Sequence, residues 1–300
     1  MQGVIHAVHT AIVGLIKLMP LSLGVLVFRV YNKALKMIGP EFRAPTYFKA
    51  RLFCDPHDLL QRMILHFGVW EPDVSRVIER NLEPGDIFVD VGANIGYDTV
   101  LASRLVGASG GVIAIEASPR AFSLLTRNVE LNGLTNVRAV KAAVSDRVGK
   151  LDLYEIYELN IGAATTLASR GGKLMESVDA LPLEDILTAA EMARVRLLKI
   201  DIEGAEPPVL QHLLDRLSLY SAKMDIIVEA SPEDDYEAWK NVFGRLTEAG
   251  FSAWEIDNSY ELEWYLKWRK PKPLRRSDGA PGRQQDLLLT RLAARASAPT

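Results

Sequence analysis

Short apolar runs alternate with amphipathic stretches along the chain from residue 84 onwards. The runs at 87–91 and 112–116 are rich in Val and Ile, which is typical of buried parallel strands. Between them, a loop that contains Gly92 and Gly96 leads into a helical stretch that extends to about Arg104. The order strand, helix, strand predicts a βαβ unit of an α/β domain.

The same alternation continues towards the C-terminus. Residues 195–201 and 225–229 predict two more strands, with a helix at about 207–217 between them, and 284–291 predicts a closing strand. The segment 151–175 is polar and contains glycines, so it interrupts the pattern. We interpret it as a lid or an acceptor-binding loop, and a plain surface loop is the alternative.

The chain begins with a mostly apolar stretch from Val4 to Phe28 that Lys17 and Pro20 interrupt. The apolar residues favour membrane insertion by about 4–8 kcal/mol, whereas Lys17 alone opposes it by about 3 kcal/mol. Three alternatives therefore stay open: a spanning helix, an interfacial helix on anionic lipid, or a helix packed on the rest of the chain or on a partner subunit. Membrane contact is the preferred interpretation.

Charge is distributed unevenly along the 300 residues, although the net charge is only −3. Residues 1–51 and 267–283 each sum to +6, so the remaining chain holds −15. The two basic segments fit contact with an anionic surface, and a pair of solvated, charge-rich segments is the equal alternative. The acidic body disfavours nucleic acid as a partner. A hydrophobic content of 48% excludes disorder, and the single cysteine, Cys54, excludes a disulfide framework.

Carboxylates follow both strands of the predicted βαβ unit at the point where each strand ends. Asp90 ends the first strand beside the loop of Gly92 and Gly96, and Glu116 ends the second. Ligands of open α/β sheets bind beyond these strand ends. An acid in the position of Glu116 suits the two hydroxyls of a ribose, so we predict a nucleotide site here.

The glycine loop differs from the common phosphate-binding loops. Asn94 and Tyr97 occupy the second and third glycine positions of the dinucleotide fingerprint, and no Gly-Lys-Ser/Thr follows Gly96. Asp90 would repel a pyrophosphate but would attract a cation. A positively charged ligand that carries a ribose fits these residues, which points to S-adenosylmethionine.

Two sequence blocks resemble a known family. Residues 88–96, Phe-Val-Asp-Val-Gly-Ala-Asn-Ile-Gly, resemble motif I of class I methyltransferases in the form used by the FkbM-type family. Residues 198–206, Leu-Lys-Ile-Asp-Ile-Glu-Gly-Ala-Glu, resemble the other hallmark of that family. The resemblance extends from about Gly68 to Phe251.

The resemblance implies a Rossmann-like α/β fold: a seven-stranded, mostly parallel sheet with helices on both faces and an antiparallel last strand. Three segments follow from it. They are an apolar and basic N-terminal helical segment at 1–40, a helical lead-in at 41–83, and a methyltransferase domain at 84–300.

The resemblance also implies methylation by S-adenosylmethionine, usually of a hydroxyl oxygen on a sugar, glycolipid or polyketide-like acceptor. Glu116 would hold the ribose of this cofactor, and Ser145 and Asp146 would flank its adenine. The residues at the methionine and sulfonium end would be Asp90, Gly92, Asn94 and Gly96.

Charged residues also end the later strands. Alternation places Lys199, Asp201 and Glu203 on one side of an extended segment, and Glu229 ends the next strand. Methyl transfer to a hydroxyl gains from a base that removes the proton. Asp201 is the first candidate for this base, with Glu203 or Glu229 positioning the acceptor and Lys199 completing the catalytic set. A divalent metal held by the same oxygens is the rival arrangement.

The leading hypothesis is an O-methyltransferase that acts on a carbohydrate or glycolipid hydroxyl in the cytoplasm, at the inner face of a membrane contacted through 1–38 and 267–283. The alternative is a non-catalytic, membrane-associated scaffold that retains the fold. Asn94 disfavours an oxidoreductase. Aromatic residues crowd between Phe251 and Trp268, where they suit a sugar ring, a membrane interface or packing on the core.

Overall fold

The computed structural model describes residues 2–39, 41–155, 164–267, 272–277 and 279–291. The chain divides into two compact units. The first comprises Met1–Pro72 and Ser259–Pro271, and the second comprises Asp73–Asn258 and Lys272–Thr300.

Helices and strands are numbered here in chain order. The helices are α1 (Gln2–Leu18), α2 (Leu21–Ile38), α3 (Leu59–Phe67), α4 (Pro72–Asn81), α5 (Tyr97–Val106), α6 (Pro119–Leu131), α7 (Leu183–Ile186), α8 (Ala189–Met192), α9 (Glu206–Asp215), α10 (Tyr236–Glu248) and α11 (Leu262–Lys267). The strands are β1 (Phe42–Pro45), β2 (Arg51–Cys54), β3 (Ile87–Val91), β4 (Gly111–Ile115), β5 (Val137–Val140), β6 (Ala143–Val144), β7 (Gly149–Glu155), β8 (Ala164–Thr165), β9 (Lys173–Leu181), β10 (Val195–Ile200), β11 (Asp225–Ala230), β12 (Ser252–Ile256), β13 (Arg275–Ser277) and β14 (Gln285–Thr290).

In the first unit, the helices α1 and α2 are separated at Pro20 and pack on α3 and α11. Phe28 and Ile16 are buried together with Leu266 of α11. Burial lowers the pKa of His66 to about 3. The ring is therefore neutral, and its Nε2 donates to Asn32 Oδ1 at 3.0 Å.

We had expected residues 41–83 to be helical, but only part of this segment is. The segment begins with an antiparallel hairpin in which β1 pairs with β2, and Phe42 lies opposite Cys54. In β2, Leu52 and Cys54 are buried while the residues between and before them are not, which is the two-residue period of a strand. Four residues are too few for this period to stand out in the sequence.

None of the described helices combines the length and the apolar content that a crossing of the bilayer requires. The C-terminal aromatic residues of the first unit pack on its own side chains. Tyr260 stacks on Trp70, and Tyr265 stacks on Phe67. Trp268 lies outside the described residues.

The second unit is built on an eight-stranded sheet with the order β13-β12-β14-β11-β10-β3-β4-β5. The strands β3, β4, β5, β10 and β11 are parallel, and β14 is antiparallel to both of its neighbours. Helices flank this sheet, so the expected α/β fold with its antiparallel last strand is confirmed.

The expected number of seven strands is wrong by one, because β13 pairs with β12 and forms the edge of the sheet on that side. This extra strand lies in the basic segment 267–283, of which 268–271 and 278 lie outside the described residues. Its residues Arg275 and Arg276 are exposed. Charged residues are common on edge strands and leave no apolar pattern by which a sequence would reveal them.

The segment 151–175, which we had expected to form a loop, contributes to a separate four-stranded sheet with the order β6-β9-β7-β8. This inserted sheet has its own small core of Leu153, Val178 and Ala180. Residues 156–163, which contain part of the predicted loop, lie outside the described residues. The strands β7 and β9 have largely exposed residues, so their sequences lack the apolar runs of the main sheet.

Candidate functional site

The loop after β3 lies against the loop after β10. Gly92 has a φ of 80°, and a Cβ atom placed on it would lie 1.8 Å from the carbonyl oxygen of Asp201. Gly96 has a φ of 86°, and its Cβ would lie 2.6 Å from a methyl group of Leu125. Both positions therefore need glycine for their backbone conformation and for close packing.

Glu116 ties the loop after β3 to the start of α6. Its Oε2 accepts a hydrogen bond from the backbone N–H of Asn94 at 2.8 Å, and its Oε1 accepts one from Ser118 at 2.7 Å. Asn94 itself has a φ of 50°. Burial raises the pKa of Glu116 to about 7, although both N–H groups favour the charged form.

Asp90 is buried at the end of β3. Its Oδ2 accepts a hydrogen bond from the hydroxyl of Thr99 at 2.5 Å. Among the residues that the structure describes, no donor reaches its other oxygen, Oδ1. Burial raises the pKa of Asp90, and the nearby Lys199 ammonium opposes this rise. A buried carboxylate oxygen without a partner costs free energy, so a ligand that brings a donor or a cation would be stabilised there.

The Lys199 ammonium attracts carboxylates from two different elements, α5 and the loop after β10. Its Nζ lies 2.8 Å from Asp201 Oδ2 and 3.6 Å from Asp98 Oδ2. Asp98 lies in the first turn of α5, and burial raises its pKa to about 7 despite the lysine. The ammonium group is thus shared by carboxylates from α5 and from the loop after β10.

Glu203 adopts a φ of 57°, so the predicted alternation of residues 199–203 ends after Asp201. Its carboxylate accepts a hydrogen bond from Arg170 Nη1 at 2.9 Å, and its carbonyl oxygen accepts one from the Thr165 hydroxyl at 2.8 Å. Arg170 also forms an ion pair with Asp234 at 2.5 Å. Burial raises the pKa of Glu203 to about 7. The inserted segment therefore holds Glu203.

Glu206 closes the turn after β10. Its Oε1 accepts hydrogen bonds from the backbone N–H groups of Ile202 at 2.9 Å and Gly204 at 3.1 Å. Its Oε2 is buried and receives no hydrogen bond from the described part of the chain. Burial raises the pKa of this carboxyl to about 7. Glu206 thus stabilises the turn.

Glu229 is the penultimate residue of β11 and lies opposite Asp286 of β14 in the antiparallel register. Both side chains are buried. Asp286 Oδ2 accepts a hydrogen bond from Asn258 Nδ2 at 2.6 Å, and burial raises its pKa to about 6. The closing strand runs antiparallel, so its first residues lie at the edge where the parallel strands end.

Ser145 and Asp146 follow β6, which pairs with β9 in the inserted sheet. The Ser145 hydroxyl lies 3.2 Å from Asp146 Oδ1. The side chain of Arg147 donates hydrogen bonds to Asp146 and lowers its pKa. Ser145 and Asp146 are partly exposed, whereas Asp90 and Glu116 are buried.

Sequence reasoning missed several charged or polar residues of this region. Asp98 and Thr99 could have been selected from the sequence, because they directly follow the glycine loop. The other residues could not, because their partners are distant along the chain; they are Arg170, Asp234, Asn258 and Asp286.

In the described ranges, no three His, Cys, Asp or Glu residues are arranged to hold a metal ion.

The α/β sheet, the glycine loop after β3 and the acid after β4 match the fold that the resemblance to class I methyltransferases implied. The family model described as "Methyltransferase FkbM domain" matches residues 90–253, which is more than half of the chain. The chain belongs to the FkbM methyltransferase family, and the resemblance of its two motif blocks is confirmed.

Curated relatives match parts of the chain. The 31-O-demethyl-FK506 methyltransferase FkbM of Streptomyces tacrolimicus is 33% identical over 162 residues, covering 45% of this chain and 62% of that protein. The hexuronic acid methyltransferase AglP of Haloferax volcanii is 24% identical over 165 residues, covering 55% and 65%. The chain spans about three fifths of the length of the curated relatives it matches.

Solved structures resemble the chain more distantly. The S-adenosylmethionine-dependent O-methyltransferase of Thermotoga maritima has a TM-score of 0.41 at 15% identity, covering 85% of this chain and 79% of that one. Fibrillarin of Aeropyrum pernix, solved with natively bound S-adenosylmethionine, has a TM-score of 0.37 at 13% identity, covering 72% and 73%.

Proposed function

We propose that the chain is an S-adenosylmethionine-dependent O-methyltransferase that acts on a hydroxyl of a carbohydrate, a glycolipid or a related small molecule. The observation that carries this proposal is the buried, unpartnered Oδ1 of Asp90, which lies beside the glycine loop of a methyltransferase-family chain. A ligand with a cationic group would satisfy this oxygen, and S-adenosylmethionine has both an ammonium and a sulfonium.

The loop after β3 fits this cofactor. Asp90, Gly92, Asn94 and Gly96 would hold its methionine end, since the glycines remove side chains where a ligand must approach the backbone. Glu116 would hold the ribose. Each oxygen of Glu116 accepts one backbone hydrogen bond and retains a second lone pair for a hydroxyl. When bound, the cofactor supplies an electrophilic methyl group.

We propose that Ser145 and Asp146 flank the adenine of the cofactor. Support comes from their position, since they follow β6 shortly after β5, the outermost parallel strand of the main sheet. Asp146 would accept a hydrogen bond from the adenine amino group. Its pKa is lowered by Arg147, so it remains an acceptor throughout the physiological range.

Asp201 is the proposed general base. It would accept the proton of the acceptor hydroxyl as the oxygen takes the methyl group, whose bond to the sulfonium sulfur would break and leave that sulfur as a neutral thioether. The Lys199 ammonium, 2.8 Å away, orients this carboxylate. Glu203 is held in place by two residues of the inserted segment, Arg170 and Thr165, so we assign it and Glu229 to positioning of the acceptor.

Proton removal by a carboxylate is favoured over metal-assisted activation. The charge of Asp201 is already balanced by an ammonium at contact distance, so a divalent cation would have to compete with Lys199 for it. We therefore expect turnover to be unaffected by a chelator such as EDTA.

A hydroxyl-bearing glycan or related molecule is the proposed acceptor class. Support comes from two relatives, one a hexuronic acid methyltransferase and one a 31-O-demethyl-FK506 methyltransferase. The free and buried thiol of Cys54 fits our proposal that the reaction takes place in the reducing cytoplasm.

The first test is calorimetric titration of S-adenosylmethionine. We expect wild-type protein to bind it and Asp90→Ala to bind at least about tenfold more weakly. The matched control is Asp179→Ala, because Asp179 is an exposed aspartate of the inserted sheet. A folded wild-type protein that does not bind the cofactor would contradict the proposal.

The second test measures transfer of a labelled methyl group to a glycan and lipid extract. We expect Asp201→Asn to lower kcat by about 10²–10⁴-fold while its affinity for the cofactor changes less than about twofold. Product formation that depends on Asp201 excludes the other candidate, a scaffold without activity. Cofactor binding without any turnover would favour that scaffold.

A further inference from the structure

We propose that the first unit docks on an anionic lipid surface through one face of its helical pair, with α1 and α2 lying along the membrane. This interfacial face is formed by Leu15, Leu18, Leu23, Leu26, Val30, Met37 and Ile38. The proposal is independent of the proposed methyl transfer, because it concerns only where the protein resides.

The interfacial face concentrates the exposed apolar side chains of the protein. Fourteen large hydrophobic residues are exposed in the described part of the chain, and seven of them lie in α1 and α2. The exposed fraction reaches 83% for Leu18 and 82% for Met37. Exposed apolar side chains that are gathered on two adjacent helices are typical of a surface that contacts a membrane or a partner.

The helix α2 carries two apolar stripes, of which only one faces the protein. Phe28 and Leu35, which lie about two helical turns apart, are buried in the first unit. Leu23, Leu26 and Val30 repeat at three- and four-residue intervals and are exposed. The buried stripe accounts for the folding of the unit, so the exposed stripe requires another partner.

Charge selects lipid as that partner. Arg29 and Lys33 are exposed on α2 between the apolar residues of the interfacial face. Residues 1–40 contain four Lys or Arg and neither Asp nor Glu. Basic residues that border leucines are typical of helices that insert their apolar side among the headgroups of anionic lipids.

A second copy of the same face would be a poorer partner. In a two-fold symmetric dimer the same face supplies both sides of the interface, so the Arg29 and Lys33 side chains of both copies would enter it, and residues 1–40 contain no acid to pair with them. An anionic membrane supplies apolar chains and negative charge at once.

Flotation of the full-length protein with lipid vesicles tests the proposal. We expect binding to phosphatidylcholine vesicles that contain about 30% phosphatidylglycerol, and at least about tenfold weaker binding to phosphatidylcholine alone. Binding should also weaken in about 0.5 M NaCl, where charges are strongly screened.

Variants separate the apolar and the electrostatic contributions. The combined variant L26S/V30S/M37S should lower the vesicle partition coefficient at least about tenfold, and R29Q/K33Q should lower it at least about threefold on anionic vesicles only. The control L174S/V148S/L219S removes three exposed apolar residues of the second unit and should leave binding unchanged. All of the replaced residues are exposed, so circular dichroism should report an unchanged fold.

Two results would overturn the proposal. One is a wild-type protein that remains unbound with anionic vesicles. The other is a wild-type dimer, seen by analytical ultracentrifugation without lipid, that L26S/V30S/M37S dissociates, since the interfacial face would then join two copies of the chain.

Discussion

The loops after β3 and β10 lie at the same edge of the sheet but are held in different ways. After β3, backbone groups provide the contacts: Glu116 accepts hydrogen bonds from the N–H groups of Asn94 and Ser118. After β10, side chains pair with side chains, as Lys199 does with Asp201. We call these regions the cofactor edge and the acceptor edge, according to their proposed roles.

Glu203 at the acceptor edge is held by a side chain that is more distant along the chain than either partner of Glu116 at the cofactor edge. Arg170 reaches Glu203 and Asp234 from the inserted segment, over separations of 33 and 64 residues. A geometry fixed by backbone contacts suits one invariant ligand. A geometry fixed by side-chain ion pairs can change with a few substitutions, which suits a family whose relatives act on different acceptors.

The largest effect is expected where the two edges touch. Gly92→Ala would place a Cβ against the backbone of Asp201 and force alanine into a left-handed conformation. We expect a loss of about 3 kcal/mol or more in the free energy of unfolding, measured by urea denaturation, together with loss of cofactor binding. Gly133→Ala is the control, because Gly133 has a φ of 61° but open space around it. It should cost about 1 kcal/mol. Equal losses for both variants would show that the contact between the edges does not matter.

A smaller effect is expected at Glu206, which belongs to the acceptor edge by position but is held by backbone groups. Burial raises the pKa of its carboxyl from 4.5 to about 7. Between these pH values the Glu206 carboxyl keeps its proton in the native protein and has lost it in the unfolded chain. The contribution of Glu206 to the free energy of unfolding therefore falls as the pH rises through this window and is constant outside it. The shift corresponds to about 3 kcal/mol at most.

Glu206→Gln should therefore reduce the decline in the free energy of unfolding between about pH 5 and pH 8, as measured by urea denaturation at several pH values. Gln retains the oxygen that accepts from Ile202 and Gly204. The control Glu237→Gln replaces an exposed glutamate of α10 and should leave the decline unchanged. An identical decline in wild type and Glu206→Gln would contradict the assigned role of Glu206.

The smallest effect is expected at Arg170, and it should be confined to the acceptor edge. Arg170→Gln removes the cation that joins Glu203 and Asp234. We expect the KM for the acceptor to rise about tenfold, with the Kd of the cofactor within about twofold of wild type.

Arg170→Lys should restore part of the loss, since a lysine ammonium can meet one carboxylate but does not reproduce the guanidinium fork. Arg76→Gln is the control, because Arg76 pairs with Glu79 on the surface of α4. A cofactor Kd that rises as much as the acceptor KM would remove the distinction between the two edges.

Much of the fold could be predicted because it follows from local patterns. The buried strands β3, β4, β10 and β11 are short, mostly apolar runs, and the helix α6 begins at Ser118 and Pro119 with its side-chain cap. The hairpin β1–β2, the edge strand β13 and the inserted sheet escaped prediction. Their strands are short, charged or largely exposed, so burial leaves little trace in their sequences.

For the site, the sequence by itself determined which residues end the strands of the main sheet. Asp90, Glu116, Asp201 and Glu229 were identifiable because the carboxyl ends of parallel strands meet at one edge. It also determined the family, since the two motif blocks are contiguous.

Only the tertiary structure decided how these residues are used. It separates Asp201, paired with Lys199, from Glu203, which turns away and is held by Arg170. It also leaves one oxygen of Asp90 without a partner in the described chain. Ion pairs and burial depend on distances between segments that are far apart along the chain. Such distances exist only after the sheet has brought those segments together.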